Sequence, residues 1–270
     1  MNLQQLSHPA TTLPSELDGF RVELNPDRQR ADIVLDRPPY NVIHMGARDQ
    51  LRIVFEALDA DARIRVIVLR GAGQHFSSGG DIKGFLQASP EHVSHLAWNV
   101  AAPARCSKPV IAAARGYRFG VGFELSLACD FRLCTDTTRY ALPEQKLGQI
   151  PGSGGSARLQ KMVGITRTKD IVMRSRRIAG PEAHAWGVAT ECVPDADLEA
   201  ATDRLVDELL AFSPLAQRTA KKLLNDTEDS TLSIAIELEG HAYSRLRSSD
   251  DFREGVEAFH GKREAKFRGS

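Results

Sequence analysis

Apolar residues along the chain fall into short runs, separated by breaks rich in Gly and Pro. Residues 1–17 are polar, contain two prolines and show no period, which predicts a loose N-terminal tail. Ala31–Leu35 reads as a strand closed by Arg37-Pro38-Pro39. Leu51, Val54, Phe55 and Leu58 fall at i, i+3, i+4 and i+7, the mark of an amphipathic helix. Ile64–Leu69 is a nearly continuous apolar run ending in Gly71-Ala72-Gly73, which predicts a buried strand. Strand, helix and strand together make one βα-type unit.

The same rhythm returns after an intervening loop and helix. Lys108-Pro109 leads into a strand at Val110–Ala114, then a Gly-broken turn, then the apolar stretch Phe123–Cys129 and a short strand at Phe131–Cys134. From about residue 153 the texture changes to helical segments, with long ones expected near 196–212, 214–226 and 231–258. Little strand signal follows Val188–Val193. No repeat of fixed period and no low-complexity tract is present. The pattern predicts an α/β core followed by a helical C-terminal part.

Composition narrows the function more than the fold. Basic and acidic residues both number 35, so no long-range field favours nucleic acid or an anionic membrane. The four cysteines have no CxxC pair, and they read as reduced, mostly buried thiols. The first twenty residues lack Lys, Arg and an apolar run, and no segment is apolar over the length of a membrane span. A soluble cytoplasmic protein with neither a membrane nor a nucleic-acid partner is expected.

Several tempting motifs fail on spacing. Gly71-Ala72-Gly73 lacks the third glycine of a dinucleotide-binding turn, because position 76 is Phe. Gly152–Ser156 is glycine-rich but has no following Gly-Lys-Ser/Thr, and its serine stands one place too early for a hydrolase elbow. The eight histidines form no zinc pattern, and His44, His75 and His184 read as polar loop or helix residues; no metal site is expected.

Two Gly-rich turns and two carboxylates remain. The first turn is His75–Lys83 and the second Arg115–Glu124; both follow apolar strands and run into helix starts. Backbone N–H groups at a helix N-terminus have no intrahelical partner, so two such turns brought together could hold one developing oxyanion. Each turn alone is better explained by a need for φ > 0. Glu124 lies in an apolar stretch, so it is either on a solvent face or a buried acid with a raised pKa. Glu144, after Ala141-Leu142-Pro143, reads as a loop acid or a first-turn helix residue. Two glutamates flanking an apolar pocket can divide acid and base roles by environment alone.

At these residues the chain resembles the enoyl-CoA hydratase/isomerase (crotonase) family. The resemblance is carried by Phe76–Lys83 (FSSGGDIK), Lys108–Asp130 (KPVIAAARGYRFGVGFELSLACD), Tyr140–Leu159 (YALPEQKLGQIPGSGGSARL) and Phe259–Phe267 (FHGKREAKF). It implies an α/β spiral of repeated ββα units over 18–195, after the 1–17 tail. A helical oligomerisation region over 196–270 would build homotrimers or hexamers. It implies acyl-CoA substrates, coenzyme A being part of the substrate and no separate cofactor being needed. Carried over by position, the oxyanion donors are the N–H groups of Gly80 and Val121, and the acid/base pair is Glu124 and Glu144. Ser78, Gly79, Asp81, Ile82, Lys83, Gly120, Gly122, Phe123, Leu142, Pro143 and Gly152 are the residues implied around the substrate. Val121, Phe123, Leu142 and the region 84–105 are expected to shape the acyl pocket.

Family isomerases typically keep only the second glutamate, so the pair favours addition or removal of water. The same-class alternative is an isomerase; the alternative of another class is a non-catalytic or RNA-binding member of the fold. Two departures stand out. Val121 replaces a customary glycine, and a β-branched residue disfavours φ > 0. Arg115 and Arg118 replace residues that are commonly uncharged, and they either reach a CoA phosphate or lie in solvent.

Overall fold

The computed structural model describes residues 14–270, so the N-terminal tail expected over 1–17 falls mostly outside the described residues. In chain order the elements are β1 (Phe20–Asn25), β2 (Arg30–Leu35), α1 (Met45–Ala60), β3 (Val66–Gly71), α2 (Ile82–Phe85), α3 (Pro90–Val100), α4 (Ala102–Arg105), β4 (Val110–Ala114), β5 (Tyr117–Phe119), α5 (Val121–Leu127), β6 (Phe131–Thr135) and β7 (Arg139–Ala141). They continue with α6 (Gly155–Met173), β8 (Ile178–Ala179), α7 (Gly180–Ala185), β9 (Glu191–Val193), α8 (Leu198–Leu210), α9 (Pro214–Thr227), α10 (Leu232–Leu246) and α11 (Asp250–Gly261).

Six strands form one sheet in the order β1-β2-β3-β4-β6-β9, parallel except for the β1–β2 pair. A second sheet holds β5-β7-β8. The runs Ile33–Leu35, Val66–Leu69 and Val110–Ala114 are apolar on both faces because both faces of the large sheet are covered. Side chains alternate between faces: Ile67, Leu69, Val110 and Ala112 join Leu51, Val54, Phe55 and Leu58 of α1. Val66, Val68, Ile111 and Ala113 turn the other way, onto Leu198, Ala201, Val206 and Leu209 of α8. The helix α8 therefore belongs to the sheet core. It covers the second face of a sheet that is apolar on both.

The short helix α5 is buried along its whole length. Val121 and Leu125 pack in the cluster between α1 and the large sheet, while Phe123 and Leu127 enter a further cluster with Tyr140, Leu142, Leu159 and Ile178. Apolar residues on all sides explain why its sequence showed no helical period. The helix expected over 231–258 is two helices, broken where Ser249 caps α11 by accepting the N–H of Phe252 at 3.0 Å. Among the described residues, no helix is long and apolar enough to cross a membrane.

Candidate active site

The two Gly-rich turns lie side by side. The first leaves β3 and ends at α2; the second leaves β4, passes through β5 and ends at α5. The Ser77 N–H donates to the Tyr117 carbonyl at 2.9 Å, and the Phe119 N–H donates to the Ser77 carbonyl at 3.0 Å. That pairing sets Gly79 against Gly120, where a Cβ on Gly120 would stand 3.7 Å from the Gly79 Cα. Gly120 has φ +49° and Gly79 has φ +114°, backbone that L side chains rarely adopt. A Cβ at Gly122 would meet the Ser77 Cβ at 2.7 Å, so glycine there lets α5 seat against the first turn.

Val121 is the first residue of α5, and its φ is not positive. The left-handed position falls on Gly120 instead, which is why a β-branched residue is tolerated next to it. As a first-turn helical residue, Val121 keeps an N–H with no intrahelical acceptor. Among the described residues, no hydrogen bond uses the N–H of Gly80 or of Val121.

Glu124 sits one turn further along α5 and is 3% exposed. Its Oε1 accepts two backbone bonds, from the Ser153 N–H at 2.7 Å and the Gly155 N–H at 3.0 Å. Burial pushes its pKa up, while those two donors and the more distant Arg48 and Arg158 pull it down. Burial outweighs them, so the net direction is upward; the stretch Gly152–Ser156, which fails as a phosphate loop, holds this carboxyl at the start of α6. Ser153 and Gly155 were missed as site residues. The available signal was a glycine-rich helix start with no ligand assigned to it.

Glu144 enters from the other side. Pro143 opens a 3-10 turn over Pro143–Leu147, after β7 and the buried Leu142. The Glu144 Oε1 lies over Gly120, where a Cβ would come within 3.1 Å of it. Its Oε2 is buried with no hydrogen-bond partner among the described residues. Burial, with the nearby Glu124 charge adding to it, pushes its pKa up to about 7, against a lowering by its own backbone N–H. One carboxylate thus has two fixed donors favouring its ionised form. The other, lacking donors on Oε2, favours its proton.

The remaining expected residues are dispersed around this pair. The Ser78 N–H donates to the Tyr40 carbonyl at 2.8 Å, and Asp81 caps α2 by accepting the Lys83 N–H at 3.2 Å. Ile82 and Lys83 are exposed, and Gly152 has open space around it. Phe123 and Leu142 turn into the cluster containing Tyr140, with the Phe123 and Tyr140 ring centroids 5.0 Å apart.

Neither arginine in the second turn behaves as expected. Arg118 is fully buried, donates to the Ala112 and Leu133 carbonyls at 3.3 and 3.2 Å, and lies over the Phe76 and Tyr140 rings. It does not lie in solvent: it sits among mid-strand carbonyls of β4 and β6, and its Nε is buried with no hydrogen-bond partner among the described residues. Arg115 is ion-paired with Glu199 at 2.8 Å and Asp195 at 3.4 Å, fastening the second turn to α8. Arg48 of α1 was also overlooked. It stands three residues before Leu51 and seven before Phe55, on the apolar stripe of that helix, yet it is only 3% exposed. Among the described residues, no group of three metal-ligating side chains forms.

Comparison with known proteins identifies the family. Residues 29–270 match the family model described as enoyl-CoA hydratase/isomerase. The chain belongs to the enoyl-CoA hydratase/isomerase family. It is 35% identical over 251 residues to a carnitinyl-CoA dehydratase of Salmonella arizonae, covering 88% of this chain and 94% of that protein. A carnitinyl-CoA dehydratase of Proteus mirabilis is 33% identical over 246 residues, with the same coverage. Among solved structures, an enoyl-CoA hydratase from Bacillus anthracis superposes with a TM-score of 0.87 at 30% identity, covering 94% of this chain and all of that one. A structure from Geobacillus kaustophilus, described as enoyl-CoA hydratase subunit I, gives 0.89 at 30% identity, covering 95% and 100%. The crotonase-type α/β fold with a helical C-terminal part follows.

Proposed function

We propose that this family member is an enoyl-CoA hydratase, adding water reversibly across the α,β double bond of an enoyl-CoA thioester. The observation that supports this reading is the contrast between its two glutamates. Glu124 is held by two N–H donors, whereas Glu144 carries a buried, unpartnered oxygen and a pKa pushed to about 7. An isomerisation needs one such group; adding both parts of water uses two of unlike protonation. Two of the relatives are dehydratases of a CoA thioester, which is the same chemistry in reverse.

In this reading the thioester oxygen accepts the N–H groups of Gly80 and Val121. Glu124, ionised, takes a proton from water as the water oxygen bonds to the β-carbon. The displaced electron pair moves onto the thioester oxygen as an enolate, which the two donors stabilise; losing one such donor typically costs about 3 kcal/mol. The enolate then collapses, and its α-carbon takes the proton from Glu144. Glu124 ends protonated and Glu144 ionised, so proton exchange with solvent resets the pair. Coenzyme A is part of the substrate, and no cofactor takes part. The unpaired apolar side chains of α10 support assembly into a homotrimer or a pair of trimers.

The test is loss of enoyl-thioester ultraviolet absorbance in ¹⁸O-labelled water. Wild type is expected to place the label in a 3-hydroxyacyl product, with Glu124→Ala and Glu144→Ala each slower by on the order of 10²–10⁴-fold. Double-bond migration without label uptake would establish an isomerase instead.

A further inference from the structure

Arg48 has the surroundings of a residue awaiting a ligand. It is 3% exposed, and its Nε is buried without a partner. Its guanidinium makes no hydrogen bond or ion pair among the described residues; its contact is the Phe85 ring, 5.3 Å from Cζ to centroid. A buried cation in this condition is expensive, and arginine does not escape the expense by losing its proton.

The nearby acids are engaged elsewhere. Glu124 acts on Arg48 only from a distance and is bonded to Ser153 and Gly155. Asp49, the next residue in α1, accepts a hydrogen bond from Asn99. The Arg48 guanidinium also adjoins the reaction centre. A Cβ placed on Gly80 would lie 2.6 Å from its Nη2 and 3.0 Å from Phe85, so glycine at position 80 is what leaves room for it. Arg48 and Val121 line one narrow crevice together with Ile43, Leu51, Asn99 and Val100. The side chain therefore stands against Gly80 and shares a crevice with Val121, the two residues whose N–H groups are assigned to the thioester oxygen.

We propose that Arg48 is a specificity-determining residue that binds a carboxylate on the acyl chain, making the substrate a short enedioyl-CoA with one free acid group. The proposal rests on the hydratase reading for its reaction, and on the geometry of Arg48 for its recognition. A planar guanidinium takes a carboxylate through two parallel hydrogen bonds, which satisfies the donors the fold leaves unpaired. Bond lengths limit Nη2 to within about 8–9 Å of the oxygen held by the Gly80 N–H, which suits an acyl chain of roughly four to six carbons. The CoA phosphates cannot substitute, because they lie a whole pantetheine arm away from the thioester. A site built to pair a polar group rejects the analogue lacking it more strongly than an apolar pocket rejects a missing methylene.

The experiment compares kcat/KM for the mono-CoA thioester of pent-2-enedioic acid with that for crotonyl-CoA, in wild type, Arg48→Met and Arg48→Lys. Wild type is expected to prefer the diacid at least tenfold. Arg48→Met should lower that ratio 10- to 100-fold, with Arg48→Lys in between. A thermal melt no lower than wild type for Arg48→Met would show the fold intact, since an unpaired buried charge has been removed. Equal use of both substrates by wild type would overturn the proposal. So would an unchanged ratio with both rates lowered alike, which would make Arg48 a counter-ion of Glu124. If wild type hydrates neither compound, the hydratase reading fails, and calorimetry with glutaryl-CoA and butyryl-CoA decides the role of Arg48. A preference for glutaryl-CoA that Arg48→Met abolishes would uphold recognition of the carboxylate; equal affinities would refute it.

Discussion

At the scale of single residues, the two glutamates differ by what their oxygens touch. Glu144 has a folded pKa of about 7, raised above the ordinary carboxylate value by burial. Its protonated form is the one the fold prefers. Its contribution to stability is therefore fully present below the unfolded pKa and lost as pH rises through 7. As the proton donor it must also be protonated for hydration, so kcat/KM of the free enzyme should fall as pH rises through about 7. Glu144→Gln should abolish most of the rate and also remove this pH dependence from the melting temperature. The wild type should lose up to about 3 kcal/mol relative to Glu144→Gln between pH 4.5 and 8, less whatever solvent screens. Melting temperatures of both proteins across that range check it. Parallel curves would place the raised pKa elsewhere.

At the scale of elements, Glu124 is positioned by a helix start rather than by its own helix. A Cβ on Gly155 would stand 2.9 Å from the Glu124 Cγ and 3.0 Å from its Oε1. Gly155→Ala should therefore displace the carboxylate and lower kcat at least tenfold, with the circular dichroism spectrum unchanged; steady-state kinetics beside that spectrum test it. A second element is fastened by one cation. Lys221 of α9 donates to the Pro103 and Lys108 carbonyls at 2.8 and 2.9 Å and to Asp130 at 2.7 Å. Lys221→Met would leave Asp130 without its counter-charge, and should cost about 3 kcal/mol in urea unfolding. What the sequence revealed of such elements follows their periodicity. The helix around Leu51–Leu58 and the strands at 31–35 and 110–114 were legible because one face, or both, is uniformly apolar. The helix α5 showed a start but no helical period, because it is buried all round, and β5 and β7 are too short to show a period. Glu124 and Glu144 were named as candidates through the resemblance, whereas Ser153, Gly155 and Arg48 meet the site through contacts between segments far apart in the chain. Arg118 was expected either at a CoA phosphate or in solvent, because nothing in its sequence neighbours reveals that carbonyls of β4 and β6 surround it.

At the scale of the whole molecule, the C-terminal helices are incompletely covered. No residue of α9 or α10 is buried, yet α10 exposes Leu232 at 77%, Ile236 at 60% and Tyr243 at 60%. Ile234 and Leu238 are exposed on another side of the same helix, and Leu224 of α9 and Phe259 of α11 are exposed as well. A helix apolar on several sides is normally buried, so its exposed apolar side chains suit an interaction site. With formal net charge zero, no repulsion between copies opposes association. Self-assembly through α10 is therefore expected, and it should depend on these side chains rather than on the catalytic pair. Leu232→Glu combined with Ile236→Glu would introduce two acids into a surface that is dehydrated on assembly. The variant should dissociate to a species of about 30 kDa, one chain by its composition. Mass photometry at nanomolar concentration separates the cases. A wild type that remains at one chain mass would leave α10 without a partner and remove self-association as the reason for its apolar surface. A multimer of wild type that the double variant abolishes would place the contact on this helix. Dissociation would also uncover the apolar side chains of α9, so the monomer should melt at a lower temperature, and the melting temperature of wild type should rise with protein concentration.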